Sequence, residues 1–397
     1  MQTFKRPDIL LYVMAAAVPI AFGVWRSLLN NFSIESANFT GVEIGILQSL
    51  REVPGFLAFT VVFVLLMVRE QTLALVALLV MGLGTAMTGY FPTEVGLYCT
   101  TVLMSLGFHY YETVNQSLSL QFFSREEAPF MLGKMVAIGS GASLFAFSIV
   151  WVLLEVVHLP MKGIYLIGGV STMLIALFCW FYFPKFEGKV EQHKKLKLHK
   201  RYWLYYALTF MGGARRQIFV VFSGFLMVEK FGFSAADIAL MFIANGVLNM
   251  IFAPLIGQLI STIGERKTLT IEYLGLIVIF CGYAVVSDPR IAVALYIIDH
   301  ILFSMAIAQK TYFQKIADPK DMAQTAGVAF SINHCAAIVL PALYGLLWIS
   351  SPALVFFTGA AMAGVSLILA RLVPEKPAPG SEVQWRSPAL LSLQRKP

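Results

Sequence analysis

Ser124-Arg-Glu-Glu-Ala-Pro-Phe-Met-Leu-Gly133 and Asp318-Pro-Lys-Asp-Met-Ala-Gln-Thr-Ala-Gly327 read as two versions of one loop. Each carries charge, a proline and a closing glycine, and each leads from one long apolar stretch into the next. Gly133 and Gly327 stand 194 residues apart. The same offset carries the start of the first apolar stretch, near Asp8, onto Tyr202, where the seventh begins. The chain therefore reads as a parallel tandem repeat. Residues 1–183 form one half and residues 201–373 the other. A basic linker, 184–200, joins them, and a tail over 374–397, rich in Pro, Ser and charge, is expected to be disordered.

Composition says what surrounds these halves. Hydrophobic residues make up 58% of the chain and charged residues 13%, against roughly 45–50% and about 25% in soluble domains. Most of the surface must face an apolar medium. A spanning helix needs about 20 mostly apolar residues, and twelve such stretches occur, near 8–30, 43–68, 72–91, 95–122, 130–157, 162–183, 201–228, 236–263, 269–287, 291–316, 323–349 and 352–373. The expected fold class is an all-α membrane protein, with twelve transmembrane helices in two pseudo-symmetric six-helix bundles.

Basic residues orient the helices. Twenty of the 29 Lys and Arg residues fall on the side that holds both termini and the linker, and three, Lys162, Lys230 and Arg290, fall on the other. Termini and linker are thus expected in the cytoplasm, with the protein in a bacterial-type inner (plasma) membrane. The net charge of +7 follows from this bias and implies no nucleic-acid partner. Lys5 and Arg6 lead into an apolar run that no small-residue cleavage site closes, so the first stretch reads as a helix rather than a cleaved signal. Cys99, Cys179, Cys281 and Cys335 all lie in apolar stretches without a CxxC pair and read as free thiols.

In the second half, the run Pro254-Leu-Ile-Gly257-Gln-Leu-Ile-Ser-Thr-Ile-Gly264-Glu265-Arg266-Lys267 joins the second helix to the third. It resembles the Gly-rich, charged signature that the major facilitator superfamily places at that loop. Ser261 stands where the family has Asp. The first-half counterpart, Val61 to Gln71, keeps Arg69-Glu70 without the glycines. With the two six-helix halves, the basic central loop and the cytoplasmic ends, the chain resembles that superfamily over about residues 5–373. The resemblance implies the major facilitator fold and a cavity lined by helices 1, 4, 7 and 10. It further implies close helix approach at Gly257 and gate ion pairs from Glu265 and Arg266, with Arg69 and Arg51 as first-half gate residues.

Polar residues at membrane depth agree with that implication. A charge at the bilayer centre costs about 2.5–3.5 kcal/mol on insertion scales, so it needs water or a partner. Helix 4 holds Ser105, His109, Glu112 and Gln116, whose spacings of 3 and 4 put them on one stripe. Glu112 lies about 18 Å in from Ser124 at 1.5 Å per residue. Helix 7 carries Arg215 and Arg216 after Gly212-Gly213, and of the two Arg216 is expected to face the cavity. Helix 10 carries Asp299 and Lys310, almost three turns apart and so on one face, with His300 and Ser304 alongside. Helix 2 adds Arg51 and Glu52, which point about 100° apart and are not expected to aim at one spot. Helix 8 adds Asn245 and Asn249, and helix 11 Asn333 and His334.

These residues suggest a secondary transporter working by alternating access. Arg216 and Lys310, with Gln116, His109, Asn249, Asp299 and His300, would bind a small anionic or zwitterionic solute. Glu112, with Glu52 and Asp299 as runners-up, would carry a coupling proton, since burial raises a carboxyl's pKa and a nearby cation lowers it. Plainer readings stand beside these: interhelical contact for the Asn and His residues, and structural ion pairing of Arg51-Glu52 with other helices. No nucleotide-binding, zinc-protease or Ser-His-Asp pattern is present, so no enzyme is expected. Met131 and Met135 lack His or Cys at helical spacing, so neither a metal nor another cofactor is expected. The expected partners are the solute, protons and the bilayer, with the protein a monomer. The rival class is a non-transporting receptor, assembly factor or chaperone on the same scaffold.

Overall fold

The computed structural model describes residues 6–122, 128–186, 198–318 and 321–384. Lys5, Arg125, Lys320, residues 187–197 of the linker and residues 385–397 of the tail lie outside the described residues. The helical spans are α1 Pro7–Ala37, α2 41–65, α3 Glu70–Thr88, α4 Glu94–Phe122, α5 Ala128–Glu155, α6 Met161–Tyr182, α7 200–229, α8 Ala235–Ile263, α9 Glu265–Val285, α10 289–316, α11 Met322–Ser350 and α12 Pro352–Arg371. Among the described residues, nine helices are long and apolar enough to cross a bilayer. The other three spans, α2, α4 and α7, carry Arg51-Glu52, His109 with Glu112, and Arg215-Arg216. Polarity has been concentrated in those spans at the expense of their apolar character.

Local chemistry sets the helix ends and their breaks. Pro7 occupies the first turn of α1, where its missing N–H costs nothing, and Asn38 closes the helix in the left-handed region. Thr40 and Glu43 form a capping box at the start of α2, with Thr40 N donating to Glu43 Oε2 at 2.8 Å. After Pro54-Gly55 the α2 span tightens into a 3₁₀ turn, Leu57–Thr60, before Val61–Leu65. The α7 span is α-helical over Trp203–Gln217, widens to a π turn over Ile218–Ser223 and resumes as Gly224–Glu229. The α10 span breaks between Pro289–Ser304 and Ile307–Ile316, where Met305 and Ala306 donate to carbonyls three residues back, Leu302 O and Phe303 O.

Packing reproduces the sequence repeat. In the first half, α3 packs on α4 and α6, and α1 packs on α6. In the second, α9 packs on α10 and α12, and α7 packs on α12. Close approach of α3 and α6 depends on paired glycines: a Cβ on Gly82 would sit 2.6 Å from Gly169 O.

The chain divides into two compact units that depart from the sequence halves at two places. One unit holds α1–α6 together with 224–246 and 341–346. Within it, Asn31 Nδ2 donates to Phe233 O at 2.8 Å, the Arg26 guanidinium lies 4.7 Å from the Phe242 ring, and Ala342 N donates to Ser49 Oγ at 3.0 Å. Arg26 is thus held by an aromatic face. The other unit holds the earlier part of α7 through Ser223, residues 247–340 and the chain from 347 onward.

Two contacts fasten the second unit's linker-side end. Arg201 pairs with Asp321, to which Tyr202 Oη also donates at 3.0 Å, and the Arg201 bond holds the Asp321 carboxyl below its usual range. The tail, expected to be disordered from 374, is instead docked as far as Gln384. Gln384 N donates to Leu372 O at 2.8 Å, Tyr312 Oη to Glu382 O at 2.6 Å, and Arg266 Nη1 to Gln384 Oε1 at 2.9 Å. Side chains on α9 and α10 supply partners that composition alone does not reveal.

Replacing Gly82 by Val is expected to destabilise the detergent-solubilised protein by about 1–3 kcal/mol, the usual range for overpacking. Gly257→Ala, where a Cβ meets open space, should change stability by less than about 0.5 kcal/mol. Equal losses for both in thermal unfolding would contradict this packing.

Candidate functional site

The second unit holds a buried cluster of charge. Gly212-Gly213 precede Arg215 on α7, and a side chain at Gly213 would collide with Asn333. Arg215 is 4% exposed, Glu272 of α9 2% and Asp299 of α10 1%. Arg215 Nη2 lies 3.9 Å from Glu272 Oε1, its guanidinium sits 4.5 Å from the Tyr273 ring centre, and Nε donates to Met211 O at 3.2 Å. Arg215 Nη1, Glu272 Oε2 and both Asp299 carboxyl oxygens have no hydrogen-bond partner among the described residues.

A cavity of about 160 Å³ opens beside this cluster. Its polar walls are Arg215, Arg216, Glu272, Gln309, Lys310 and Asn333. Gln309 Nε2 donates to Thr209 Oγ1 at 2.7 Å, which fixes one wall. Arg216 is exposed and passes 5.5 Å from the Phe303 ring centre, and Lys310 is exposed too. Adjacent arginines point about 100° apart, so Arg216 reaches the open side of the cavity while Arg215 forms its inner wall.

The structure corrects several expectations about helices 8 and 10. Asp299 and Lys310 do not share a face, because the break at Met305-Ala306 interrupts the helical count. Asp299 turns inward and Lys310 outward. His300 is half-buried, 6.0 Å from the Phe219 ring, and does not line the cavity. Asn249 accepts from Ser304 Oγ at 3.0 Å, an interhelical bond rather than a cavity contact.

In the first unit the helix 4 stripe splits. Ser105 and His109 are buried, while Glu112 and Gln116 are exposed one turn apart. Ser105 Oγ donates to Arg51 O, and a His109 ring nitrogen lies within 4.8 Å of a Glu52 carboxyl oxygen. Arg51 and Glu52 form an ion pair with each other, with Arg51 Nε also donating to Gln48 Oε1 at 2.8 Å. Their Cβ directions diverge as expected, but the long Arg side chain curls back. Both members are buried, and the Ser105 bond holds this turn of α2 against α4.

The remaining gate candidates lie at helix ends. Arg69 is exposed at the start of α3, and the next residue, Glu70, accepts from Ser117 Oγ at 3.0 Å and Gln121 Nε2 at 2.7 Å. Glu265, 2% exposed, pairs with Lys315 Nζ at 2.6 Å. Arg266 reaches Gln384 and, at 3.8 Å, Glu375. Gly257 mediates no close approach. It lines a second cavity of about 280 Å³ with Ser261, Glu265, Thr311, Gln314 and Lys315, because α8 leaves that face open.

The sequence model described as Major Facilitator Superfamily matches residues 9–341. The chain belongs to the major facilitator superfamily. It is accordingly a membrane transporter, not an enzyme. Among solved structures it is similar to the nucleoside transporter NupG (D323A mutant), with a TM-score of 0.76 at 14% identity, covering 92% of this chain and 99% of that one. It is also similar to a bacterial homolog of the human lysosomal transporter Spinster, inward-facing and occupied, with a TM-score of 0.75 at 12% identity, covering 96% and 98%. At such identities the likeness is one of fold. No curated protein sequence matches the chain.

Of the residues at this facilitator's basic cavity, sequence reasoning singled out Arg216 and Lys310 and passed over Glu272, Gln309 and Thr209. Glu272 carried a signal: it lies seven residues, about 10 Å, inside α9 at 1.5 Å per residue, and the cost of burying charge applied to it as it did to Glu112. Gln309 and Thr209 are neutral and gave none.

Lys315→Met leaves the Glu265 carboxylate buried without its cation. Loss of about 1–3 kcal/mol is expected from an orphaned buried polar group, while Glu265→Gln/Lys315→Met together should recover much of it. An unchanged melting temperature in Lys315→Met would show that the pair contributes nothing.

Proposed function

We propose that this facilitator is a secondary active transporter of a small anionic or zwitterionic solute, coupled to protons and working by alternating access. One observation carries the reading: the cavity walls bring Arg215, Arg216 and Lys310 together with a single acid, Glu272. A carboxylate or phosphate there gains charge-assisted hydrogen bonds, bidentate where it meets a guanidinium. Gln309 and Asn333 supply neutral donors and acceptors that orient the rest of the solute.

Glu112, exposed on α4 beside Gln116, is the proposed exchanger of the coupling proton, because an exposed carboxyl at membrane depth needs water to reach it. Glu52 is the weaker candidate, since Arg51 already balances its charge. The basic-residue bias supports cytoplasmic termini in an inner membrane, and a monomer suffices for the cavity.

A thermal-shift screen of the purified protein against organic anions, cations and neutral sugars tests the substrate class. An anion at about 100 times its Kd should stabilise by about 2.7 kcal/mol, and Arg216→Gln or Lys310→Gln should abolish the shift. Uptake of that anion into proteoliposomes should follow an imposed pH gradient and lose that dependence in Glu112→Gln. A preference for cations would overturn the substrate class, and unchanged coupling in Glu112→Gln would remove that residue from its role.

A further inference from the structure

Arg215, Glu272 and Asp299 present a charge imbalance in the interior of the second unit. Two carboxyls face one guanidinium, and the three residues are 4%, 2% and 1% exposed. With all three ionised the cluster would carry one uncompensated negative charge, in surroundings where water cannot disperse it. Arg216 and Lys310 share the cavity with Glu272 but are exposed, and among the described residues of the second unit no Lys or Arg other than Arg215 is buried. On α9 the facing titratable groups are Tyr273 and Tyr283, and on α10 they are Tyr296 and His300. From α7 only Arg215 faces inward, since Arg216 lies on the open side of the cavity. The α12 helix packs on both α7 and α9 and brings no titratable residue between Pro352 and Ala370.

The hydrogen-bond pattern points the same way. A buried carboxylate ordinarily collects several donors. Neither oxygen of Asp299 has a partner among the described residues, and Glu272 Oε2 has none either. Arg215 approaches Glu272 only to 3.9 Å, spends one donor on Met211 O and keeps Nη1 uncommitted. One guanidinium thus serves one carboxylate loosely, and the other carboxyl is left without a counter-charge.

We propose that Arg215, Glu272 and Asp299 share a single bound proton, making this trio a buried proton-binding site in the C-terminal helices. In the resting trio Arg215 balances one carboxylate while the proton resides on the other acid. Glu272 and Arg215 also line the basic cavity, whereas Asp299 lies outside its lining. An anion in the cavity that draws the Arg215 guanidinium toward itself strips Glu272 of its counter-charge. Glu272 then takes up a second proton from the cavity water, forming an O–H bond, and that proton leaves again when the anion departs and Arg215 returns. Anion binding would thus bring one proton onto Glu272, in addition to the proton exchanged at Glu112. This consequence rests on the carrier reading above; the site itself does not, and its test needs no substrate.

Infrared difference spectroscopy of the full-length protein in lipid nanodiscs, near pH 7 in choline chloride, reads the proton directly. The spectrum of the protein minus that of Asp299→Asn should show one protonated-carboxyl band that shifts in D₂O. The spectrum minus that of Glu272→Gln should show a band of similar area, because removing either acid leaves a neutral pair with Arg215 and releases the proton. Arg215→Gln should raise the band about twofold, both acids then being neutral. A band lost only in Asp299→Asn would make Asp299 an isolated protonated acid and overturn the sharing. No band in either difference would overturn the site. A band abolished by added sodium chloride would assign the charge to a metal cation instead of a proton, again overturning the proposal. Should a variant fail to fold, the unmodified protein titrated between about pH 5 and 9 still decides, since a carboxyl protonated near pH 7 is required and its absence contradicts the site.

Discussion

An ionised group taken out of water must meet an opposite charge or give up its own, and the Arg215 guanidinium is where this chain applies that rule most tightly. The idealised cost of moving such an ion into a low-dielectric interior is of order 20 kcal/mol, and several kcal/mol remain after relaxation. No helix tolerates that without a reason in its surroundings. Arg215 reaches Glu272 across two helices and lies over Tyr273, so charge ties α7 to α9. The π turn directly after Gln217 widens α7 just beyond the two arginines, a feature that often accompanies functional positions in helices. Arg216 is thereby left on the cavity side with Lys310, and the polar chemistry of the second unit follows from this placement.

The first unit meets the same constraint differently. Arg51 and Glu52 neutralise each other within one turn of α2, and Gln48 takes up a further guanidinium donor. Ser105 of α4 then bonds the backbone of that same turn. The pair balances its own charge. Glu112 and Gln116, a turn or two further along α4, stay outside this arrangement and remain exposed. One unit thus closes its buried charges locally, while the other leaves an acid over. That asymmetry between two copies of one ancestral layout is where function has room to reside.

Much of the fold was legible in the sequence because hydrophobic length and duplication are coarse signals. The Gly133 and Gly327 loops located the repeat, and the pairing of α3 with α6 and of α9 with α12 answers to it. The helix interruptions were not legible in the same way. Pro54-Gly55 advertises the change in α2, but nothing at Met305-Ala306 announces the break in α10, and a straight-helix count wrongly put Asp299 and Lys310 on one face. The Arg51-Glu52 pairing was missed because Cβ directions were considered without the reach of a four-bond side chain. Glu272 escaped notice although it lies about 10 Å inside α9 at 1.5 Å per residue, and the docked segment up to Gln384 depends on partners from α9 and α10 that local composition does not encode.

The central claim is that charged side chains at membrane depth face water in a basic cavity. With Cys99, Cys179, Cys281 and Cys335 replaced, Lys310→Cys can be challenged with a membrane-impermeant thiol reagent, and Leu274→Cys, on the exposed apolar face of α9, serves as the lipid-side control. The account predicts that the position 310 thiol reacts and is protected by a bound anion, while the position 274 thiol yields only to a lipid-soluble reagent. A Lys310→Cys protein that ignores the impermeant reagent and reacts like the control would place that side chain in lipid and contradict the account.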